Sequence, residues 1–231
     1  MITILVDDES SFPDPKESDD NGLVAVSKSL GVDRLIQAYK KGIFPWMKMD
    51  NEPHFWCWFS PNPRMVLFPG KLKLSKSLKR SVNSAKFEIK IDYGFQDTMI
   101  ACANAKRPGE QTTWIENDMI KDYSELFQLG IAHSIEAFFD GRRVGGLYGI
   151  ALGKMFFGES MFHSIPEASK VCLVKLVEIC RSAGVELIDC QVYTSHLEKM
   201  GGEEINRTRF LHILDSLLKP ADSIVPWTSL R

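Results

Sequence analysis

Residues 132–162 read AHSIEAFFDGRRVGGLYGIALGKMFFGESMF, and this stretch decides the fold. It predicts three consecutive strands, Ala132 to Phe139, Arg143 to Leu152 and Lys154 to Phe162. Asp140-Gly141 joins the first two strands and is a strong short-range signal for a hairpin. A sheet of adjacent strands is therefore expected in the second half of the chain.

The segment that follows alternates between helix and strand. Pro166 opens a predicted helix that runs to about Ala183, and Gly184 ends it. Val185 to Val192 predicts another strand, and Arg207 to Leu218 predicts a final helix. This order of elements gives a mixed sheet with packed helices, an α+β or α/β layer architecture.

The first half of the chain combines short helices with an unusual aromatic segment. One strand is predicted over Phe87 to Ile91, and helices are predicted over Gly31 to Lys41, Phe95 to Ala105 and Glu116 to Leu129. Residues 43–64 read IFPWMKMDNEPHFWCWFSPNPR, and their prolines predict no regular structure. The aromatic side chains of this segment need either burial or a ligand.

The composition of the whole chain bounds the class of protein. With 231 residues and a net charge of −2, the charge balance gives no signal for a nucleic-acid partner, and no DNA partner is expected. No apolar run approaches the roughly 20 residues that span a membrane, and Met1 to Asp8 does not resemble a secretory signal. The five cysteines include no CxxC pair and fit a reducing compartment. We expect a cytoplasmic protein without a metal site, since the histidines are scattered.

The strand VELIDCQV, residues 185–192, carries the first candidates for chemistry. Period-two alternation places Asp189 and Gln191 on one face and Cys190 on the other. A carboxylate and an amide are thus expected to project together near the carboxyl end of a strand, where ligands collect in sheet proteins. The alternative is a polar strand end that is satisfied by neighbouring backbone.

Glu159 lies in the apolar run FFGESMFHS, residues 156–164. An unpaired carboxylate in such a run is costly, so Glu159 needs a cationic partner, a hydrogen-bonded partner or a ligand. A buried ion pair without a function is the alternative. The run is not a nucleophile elbow, because GxSxG requires glycine where Phe162 stands, and a serine hydrolase is therefore excluded.

The glycine-rich run RRVGGLYGIALG, residues 142–153, is predicted to lie within strands. It lacks the lysine and hydroxyl pattern of a P-loop. Its glycines suit a close backbone approach or a bulge. No Arg-x-x-Gly-x-Gly motif precedes the helix at residues 167–182, which argues against an acetyl-CoA-dependent acetyltransferase.

A basic decamer, KLKLSKSLKR at residues 71–80, contains five positive charges and no acid. It can neutralise phosphates locally despite the acidic total, and a solvated helix face is the alternative. The charged side chains are Lys71, Lys73, Lys76, Lys79 and Arg80. Trp46 and Trp114 can stack a nucleobase, although core packing is the commoner role of a tryptophan.

A series of motifs resembles the bacterial leucyl/phenylalanyl-tRNA–protein transferase family. They occur in order between about Asn21 and Arg209: NGLVAV, AYKKGIFPW, WFSPNPR, TWI, HSIE, VGGLYGIALG, FFGESMF, ASK and LIDCQV. The resemblance implies an α+β protein with a small N-terminal domain, residues 1–62. It also implies a larger GNAT-like C-terminal domain, residues 63–231, in which helices flank a mixed sheet.

The resemblance implies a reaction as well. Leucine or phenylalanine, and methionine less well, passes from an aminoacyl-tRNA to a protein that begins with lysine or arginine, which marks that protein for degradation. The family implies no cofactor. Asp189 and Gln191 correspond to its catalytic pair, and Glu159 corresponds to its essential active-site acid.

The family also implies where the donor binds. Trp46 and Trp114 correspond to aromatic positions near the terminal adenosine of the tRNA. The positions near the donor side chain are Leu147, Phe156, Met161, Leu173 and Leu176. Strict alternation puts Phe156 and Met161 on opposite faces of their strand, so a bulge near Gly158 is required.

Two departures from the family pattern stand out, and other functions stay open. Ser27-Lys28-Ser29-Leu30 replaces a Gly-Gly-Asp-Leu turn. Leu147 and Leu176 stand where methionine and phenylalanine are expected in well-known members. A Fem-like peptidoglycan aminoacyltransferase is the nearest alternative enzyme, and a non-catalytic tRNA-binding protein is the alternative from a different class.

Overall fold

The computed structural model describes residues 3–6, 10–49, 52, 54–105 and 113–219. Within these residues, eleven strands form a four-stranded and a seven-stranded sheet, and seven α-helices accompany them. The larger sheet mixes parallel and antiparallel pairs. The predicted α+β class, with a smaller N-terminal sheet and a larger mixed sheet, is confirmed.

The small sheet is built from the N-terminal segment and the aromatic segment. Its strands, in the order β1-β2-β4-β3, are β1 (Thr3–Leu5), β2 (Leu23–Ser27), β3 (Phe44–Lys48) and β4 (Trp56–Phe59). The prediction that prolines exclude regular structure from residues 43–64 was therefore wrong. Pro45 lies in the edge strand β3, where a missing N–H is tolerated, and the register shifts directly after it.

The segment Ser27 to Leu30, which departs from the family pattern, forms a hydrogen-bonded turn before α1 (Val32–Lys40). The Trp58 Nε1 atom donates to Ser27 Oγ over 2.8 Å. The carbonyl oxygen of Ser29 accepts from Ser27 Oγ at 2.6 Å and from Arg34 Nη1 at 2.9 Å. These bonds fix the direction in which α1 leaves the small sheet.

The large sheet has the strand order β11-β5-β10-β9-β8-β7-β6. Its strands are β5 (Arg64–Leu67), β6 (Glu88–Ile91), β7 (Ala132–Phe139), β8 (Arg142–Leu152), β9 (Met155–His163), β10 (Leu187–Gln191) and β11 (Glu203–Ile205). The predicted hairpin between β7 and β8 is confirmed, and both Asp140 and Gly141 have positive φ, as a type I′ turn requires. In the described part of this sheet, β9 and β10 are the parallel pair.

Helices cover both faces of the large sheet. After α1 they are α2 (Lys76–Asn83), α3 (Phe95–Ala103), α4 (Asn117–Gln128), α5 (Ala168–Ala183), α6 (Ser195–Lys199) and α7 (Arg207–Leu217). One apolar cluster lies under α2 and α5, and the other contains residues of α1, α3, α4 and α7. The second cluster also includes Trp58 of the small sheet, so the two sheets share a core. The division at residues 62 and 63 stays a prediction.

The last described helix returns to the N-terminal half of the chain. Gly42 has a φ of +73°, and a side chain at this position would lie 2.8 Å from the Phe210 ring and 2.9 Å from Leu211. The close packing of α7 therefore requires glycine at position 42. The five cysteines are free, and four of them are buried. No helix in the described ranges is both long enough and apolar enough to cross a membrane.

Candidate active site

Strand β9 contains a bulge at Glu159. Tyr148 of β8 pairs with Ser160, and Gly149 pairs with Gly158, so Glu159 is an extra residue in the ladder between the two strands. A bulge leaves one residue outside the regular pairing and turns the side chains that follow it. The bulge that we predicted near Gly158 is confirmed.

The bulge has two consequences for the side chains around it. Gly149, opposite the bulge, has no room for a side chain, because a Cβ atom there would overlap the backbone of Phe157 and the ring of Phe156. The change of register also brings Phe156 and Met161 to the same cavity, which strict alternation would forbid.

Strand β10 contains a second bulge, at Cys190. Asp189 pairs with Val66 of β5, and Gln191 pairs with the adjacent Met65, so Cys190 is the extra residue. Gln191 takes a left-handed conformation with a φ of +63°. It lines the cavity together with Cys190, whereas Asp189 does not. The prediction that Asp189 and Gln191 share a face was wrong, because the bulge interrupts the alternation on which it relied.

The two bulges lie side by side, where β9 and β10 separate. The parallel ladder between these strands ends at the pair Phe157 and Asp189. Beyond it, Gln191 Nε2 donates a 2.7 Å hydrogen bond to Glu159 Oε1. The lining includes Tyr148 from one apolar cluster and Phe156 from the other, so the cavity reaches both faces of the sheet at this gap.

Glu159 has hydrogen-bonded partners from two helices, which confirms one of the three environments that we expected for it. Tyr39 of α1 donates to Glu159 Oε1 at 2.7 Å, and Tyr123 of α4 donates to Oε2 at 3.2 Å. The two tyrosine hydroxyls lie 2.5 Å apart. We call Tyr39, Tyr123, Glu159 and Gln191 the polar cluster.

The polar cluster is buried, and burial controls its ionisation. Burial raises the pKa of Glu159 to about 7, although the hydrogen bonds from Tyr39 and Tyr123 oppose that rise. Burial also raises the pKa of both tyrosines well above its ordinary value, so their hydroxyls stay protonated and act as donors. Glu159 can therefore exchange a proton near neutral pH while its neighbours keep theirs.

Asp189 lies behind the cavity, in a buried ion pair with Arg64. The guanidinium of Arg64 donates from Nε to Asp189 Oδ1 at 2.8 Å and from Nη2 to Oδ2 at 2.6 Å. Asp189 Oδ1 also accepts from the backbone N–H of Gln191 at 2.9 Å. Both side chains are essentially inaccessible, with relative exposures of 1% for Arg64 and 0% for Asp189.

The cavity has a volume of about 580 Å³ and is apolar over much of its lining. All five residues predicted to surround the donor side chain line it: Leu147, Phe156, Met161, Leu173 and Leu176. We call these five residues the apolar wall. They come from β8, β9 and α5, and they line the same cavity as Glu159 and Gln191 of the polar cluster.

The residues predicted to bind tRNA fall into two groups. Trp46 and Trp114 are half-buried and line the cavity. The charged residues of the basic decamer are exposed on α2 and the segment before it, outside the cavity lining: Lys71, Lys73, Lys76, Lys79 and Arg80. Lys71 pairs with Glu203 at 2.8 Å.

Sequence reasoning missed three side chains that contact the predicted residues, namely Tyr39, Tyr123 and Arg64. Two of them lie in motifs that we had already singled out, AYKKGIFPW and WFSPNPR. The position of Asp189 in an apolar strand could have indicated a cationic partner such as Arg64, because a buried charge needs a partner. Tyr123 sits at a core position of an ordinary amphipathic helix and gave no such signal.

Comparisons of the amino-acid sequence find the family of this chain. Residues 66–215 match the family described as leucyl/phenylalanyl-tRNA protein transferase, and residues 29–62 match the N-terminal domain of that transferase. The chain belongs to the leucyl/phenylalanyl-tRNA–protein transferase family. The family that we expected from the motifs is thus confirmed, and with it the class of enzyme, an aminoacyltransferase.

Relatives of the transferase cover nearly the whole chain. The leucyl/phenylalanyl-tRNA–protein transferase of Nitrosomonas eutropha is 45% identical over 229 residues, which is 98% of this chain and 96% of the relative. Among solved structures, FemX has a TM-score of 0.49 and 10% identity, covering 80% of this chain and 71% of that chain. A GCN5-related N-acetyltransferase from Kribbella flavida has a TM-score of 0.37 and 11% identity, covering 71% of this chain and 57% of that chain.

Proposed function

We propose that this protein transfers leucine or phenylalanine, and methionine less well, from an aminoacyl-tRNA to the N-terminal lysine or arginine of a protein. The new N-terminus would mark the protein for degradation in the cytoplasm. The observation that carries the proposal is one cavity in which the apolar wall meets a buried carboxylate and a buried amide. The names of the family and of its relatives indicate the two substrates, an aminoacyl-tRNA and a protein.

The apolar wall accounts for the donor amino acid. A cavity of about 580 Å³ has the size of a small-molecule site. An apolar side chain gains by leaving water for this wall, whereas a charged side chain would lose its hydration without a partner. Since one methylene group changes binding by only ~1–3 kcal/mol, some leakage among apolar donors is expected.

The rest of the donor, the tRNA, has two places to bind. Trp46 and Trp114 line the cavity and can stack the terminal adenosine. The exposed basic decamer can neutralise phosphates of the tRNA backbone outside the cavity. The donor would then be held by its amino acid, its last nucleoside and its backbone.

The chemistry starts from an ester that is already activated, so amide formation requires no ATP. The acceptor α-amine has a pKa of about 8 and is mostly protonated near pH 7. The Glu159 carboxylate takes one proton from this ammonium group, and the freed nitrogen attacks the ester carbonyl carbon. As the C–O bond to the ribose breaks, the second proton passes to the ribose oxygen, and Glu159 returns its proton to solvent.

Gln191 and Asp189 orient the acceptor in this mechanism. The Gln191 Nε2 atom already donates to Glu159, so its side-chain oxygen is the group that accepts a hydrogen bond from the incoming amine. Asp189 accepts from the Gln191 backbone and thereby acts through Gln191. Acid–base help of this kind is worth ~10²- to 10⁴-fold in rate. Positioning of two substrates contributes as much or more.

The test supplies purified protein with leucyl-, phenylalanyl- and methionyl-tRNA and a labelled peptide that begins with arginine. Mass spectrometry of the peptide then reports transfer, donor and acceptor together. We expect a mass gain of one leucine or phenylalanine at the N-terminus, and competition by a peptide that begins with lysine. A peptide that begins with glutamate is the negative control.

Other outcomes would replace the proposal. Transfer to a peptidoglycan precursor without transfer to the arginine peptide would indicate a Fem-like enzyme. Retention of aminoacyl-tRNA without any product would indicate a tRNA-binding protein. Binding of acetyl-CoA would indicate an acetyltransferase.

A further inference from the structure

The Arg64–Asp189 pair leaves Asp189 no part in direct contact with substrate. Asp189 Oδ1 accepts from Arg64 Nε and from the Gln191 backbone, and Oδ2 accepts from Arg64 Nη2. The carboxylate lies outside the cavity lining and has no exposed surface. The hydrogen bond that joins its side chain to a residue of the cavity lining is the one from the Gln191 backbone.

Arg64 also has contacts beyond Asp189 that hold its guanidinium in place. Its Nη1 atom donates to the carbonyl oxygen of Gly42 at 3.1 Å. Its guanidinium lies 4.8 Å from the centre of the Phe44 ring and 4.4 Å from the centre of the Phe210 ring. These contacts come from the start of β3 and from α7, so two distant parts of the chain hold the plane of this guanidinium.

The geometry of Gln191 requires such support. A residue other than glycine in the left-handed region carries a strain of roughly 1–3 kcal/mol, and it persists only where its surroundings fix it. The bond from the Gln191 N–H to Asp189 Oδ1 fixes the backbone at a φ of +63°, and this conformation aims the side chain at Glu159.

We propose that Arg64 is a positioning residue of the transferase, which acts through Asp189 to hold Gln191 against Glu159. This inference rests on the proposed function of the cavity. The planar guanidinium forms two parallel bonds to the carboxylate and so sets both its position and its plane. Lysine, with a single ammonium group, supplies the charge but cannot set the plane.

The test is the Arg64→Lys variant, measured beside the wild type in the transfer assay. We expect an affinity for leucyl-tRNA within about twofold of wild type and a kcat about 100-fold lower, because a displacement of about 1 Å at a reacting group has an effect of that size. Arg143→Lys is the matched control, because Arg143 forms a 3.2 Å pair with Asp97 outside the cavity lining. It should retain the wild-type kcat.

A second variant separates positioning from stability, since a lone buried charge can unfold the protein. Arg64→Gln combined with Asp189→Asn replaces the ion pair by a neutral and smaller pair, which removes the buried charges. A purely structural role predicts that kcat and Tm recover together in the double variant. The positioning role predicts a recovered Tm with a kcat that stays low. A wild-type kcat in a folded Arg64→Lys or double variant would overturn the inference.

A readout without catalysis keeps the inference separate from the proposed function. The ¹⁵N side-chain amide signal of Gln191, identified by its loss in Gln191→Ala, reports the bond to Glu159. We expect this signal to shift and to exchange faster with solvent in Arg64→Lys but not in Arg143→Lys. An unchanged Gln191 signal would overturn the positioning role, whereas absence of transfer by the wild type would overturn only the proposed function.

Discussion

The apolar wall and the polar cluster, which meets the cavity through Glu159 and Gln191, are built by different means. Leu173 and Leu176 of the wall are three residues apart on α5, the ordinary spacing of an apolar helix face. Glu159 and Gln191 of the cluster reach their places through two bulges. A change in the wall should therefore alter selectivity by modest factors, because apolar packing tolerates exchange, whereas a change in the cluster should remove activity.

The largest effect is expected for Glu159→Gln. The variant keeps the shape of the side chain and can still accept from Tyr39, but it has no carboxylate to take the proton of the acceptor. We expect kcat/KM for peptide to fall ~10²- to 10⁴-fold, with unchanged binding of leucyl-tRNA. Initial rates at saturating leucyl-tRNA measure the loss.

Glu186→Gln is the control for this prediction, because Glu186 is exposed and pairs with Lys154 at 3.1 Å. The pH profile supplies a second check. In the wild type, kcat/KM should rise through about pH 7 with the pKa of Glu159. In Glu159→Gln this rise should be replaced by one centred on the pKa of the acceptor amine, about 8. Wild-type rates in Glu159→Gln would show that the carboxylate of the polar cluster is not needed for transfer.

The second prediction concerns how the free energy of unfolding depends on pH through Glu159 of the polar cluster. Burial raises the pKa of Glu159 from 4.5 to about 7, so the folded state holds this proton more tightly than the unfolded state. The resulting stabilisation is complete below about pH 4.5 and is lost as the pH rises through about 7. Relative to Glu159→Gln, the free energy of unfolding of the wild type should fall by about 3 kcal/mol over this range.

Urea unfolding of both proteins at pH 4.5, 6 and 8 measures this difference. The comparison with Glu159→Gln removes the contribution of other titrating groups, and Glu186→Gln should follow the wild type at every pH. A constant difference between the wild type and Glu159→Gln would mean that the carboxyl group is not desolvated in the folded protein.

A change in the wall should have a smaller effect and a different character. Leu176→Phe reduces the space in the cavity and should disfavour the larger donor. We expect the ratio of kcat/KM for phenylalanyl-tRNA to that for leucyl-tRNA to fall about tenfold, within the ~1–3 kcal/mol that apolar pockets discriminate. Direct competition between the two charged tRNAs measures this ratio.

Leu129→Phe is the control for the wall, because Leu129 is exposed at the end of α4. Its donor ratio should equal that of the wild type. If Leu176→Phe abolished transfer of both donors equally, the wall would serve the chemistry as well as the selection of the donor.

The smallest effect is expected for residues outside both the apolar wall and the polar cluster. Lys76→Ala and Lys79→Ala should each weaken tRNA binding a few-fold and reduce the slope of log K against log salt concentration by ~0.7–0.9. Lys154→Ala, on the exposed pair with Glu186, is the control. Filter binding at several salt concentrations measures the slopes. Slopes equal to that of the wild type would show that the basic decamer does not contact the tRNA.

The same contrast explains what could be predicted from sequence. Regular apolar patterns predict five strands of the large sheet, β6 to β10, but not the short strands β5 and β11. The residues of the wall follow from the resemblance to the family, and the bulge at Glu159 follows because that resemblance places Phe156 and Met161 in one pocket. The bulge at Cys190 leaves no comparable conflict in the sequence, so alternation misplaced Gln191 relative to Asp189. Arg64 and Tyr39 come from distant segments. Only the pairing of β5 with β10 and the packing of α1 bring them into contact with Asp189 and Glu159.

The spread of the cluster along the chain has a consequence for when the protein becomes active during its own synthesis. Tyr39 is made early and Gln191 late, and the bond between Gln191 and Glu159 joins strands on both sides of α5. A ribosome-bound chain that ends before β10 would contain Glu159 but would lack Gln191 and the rest of β10. Such a nascent chain should be unable to modify other proteins, so activity arises only once translation has passed the last strand of the gap.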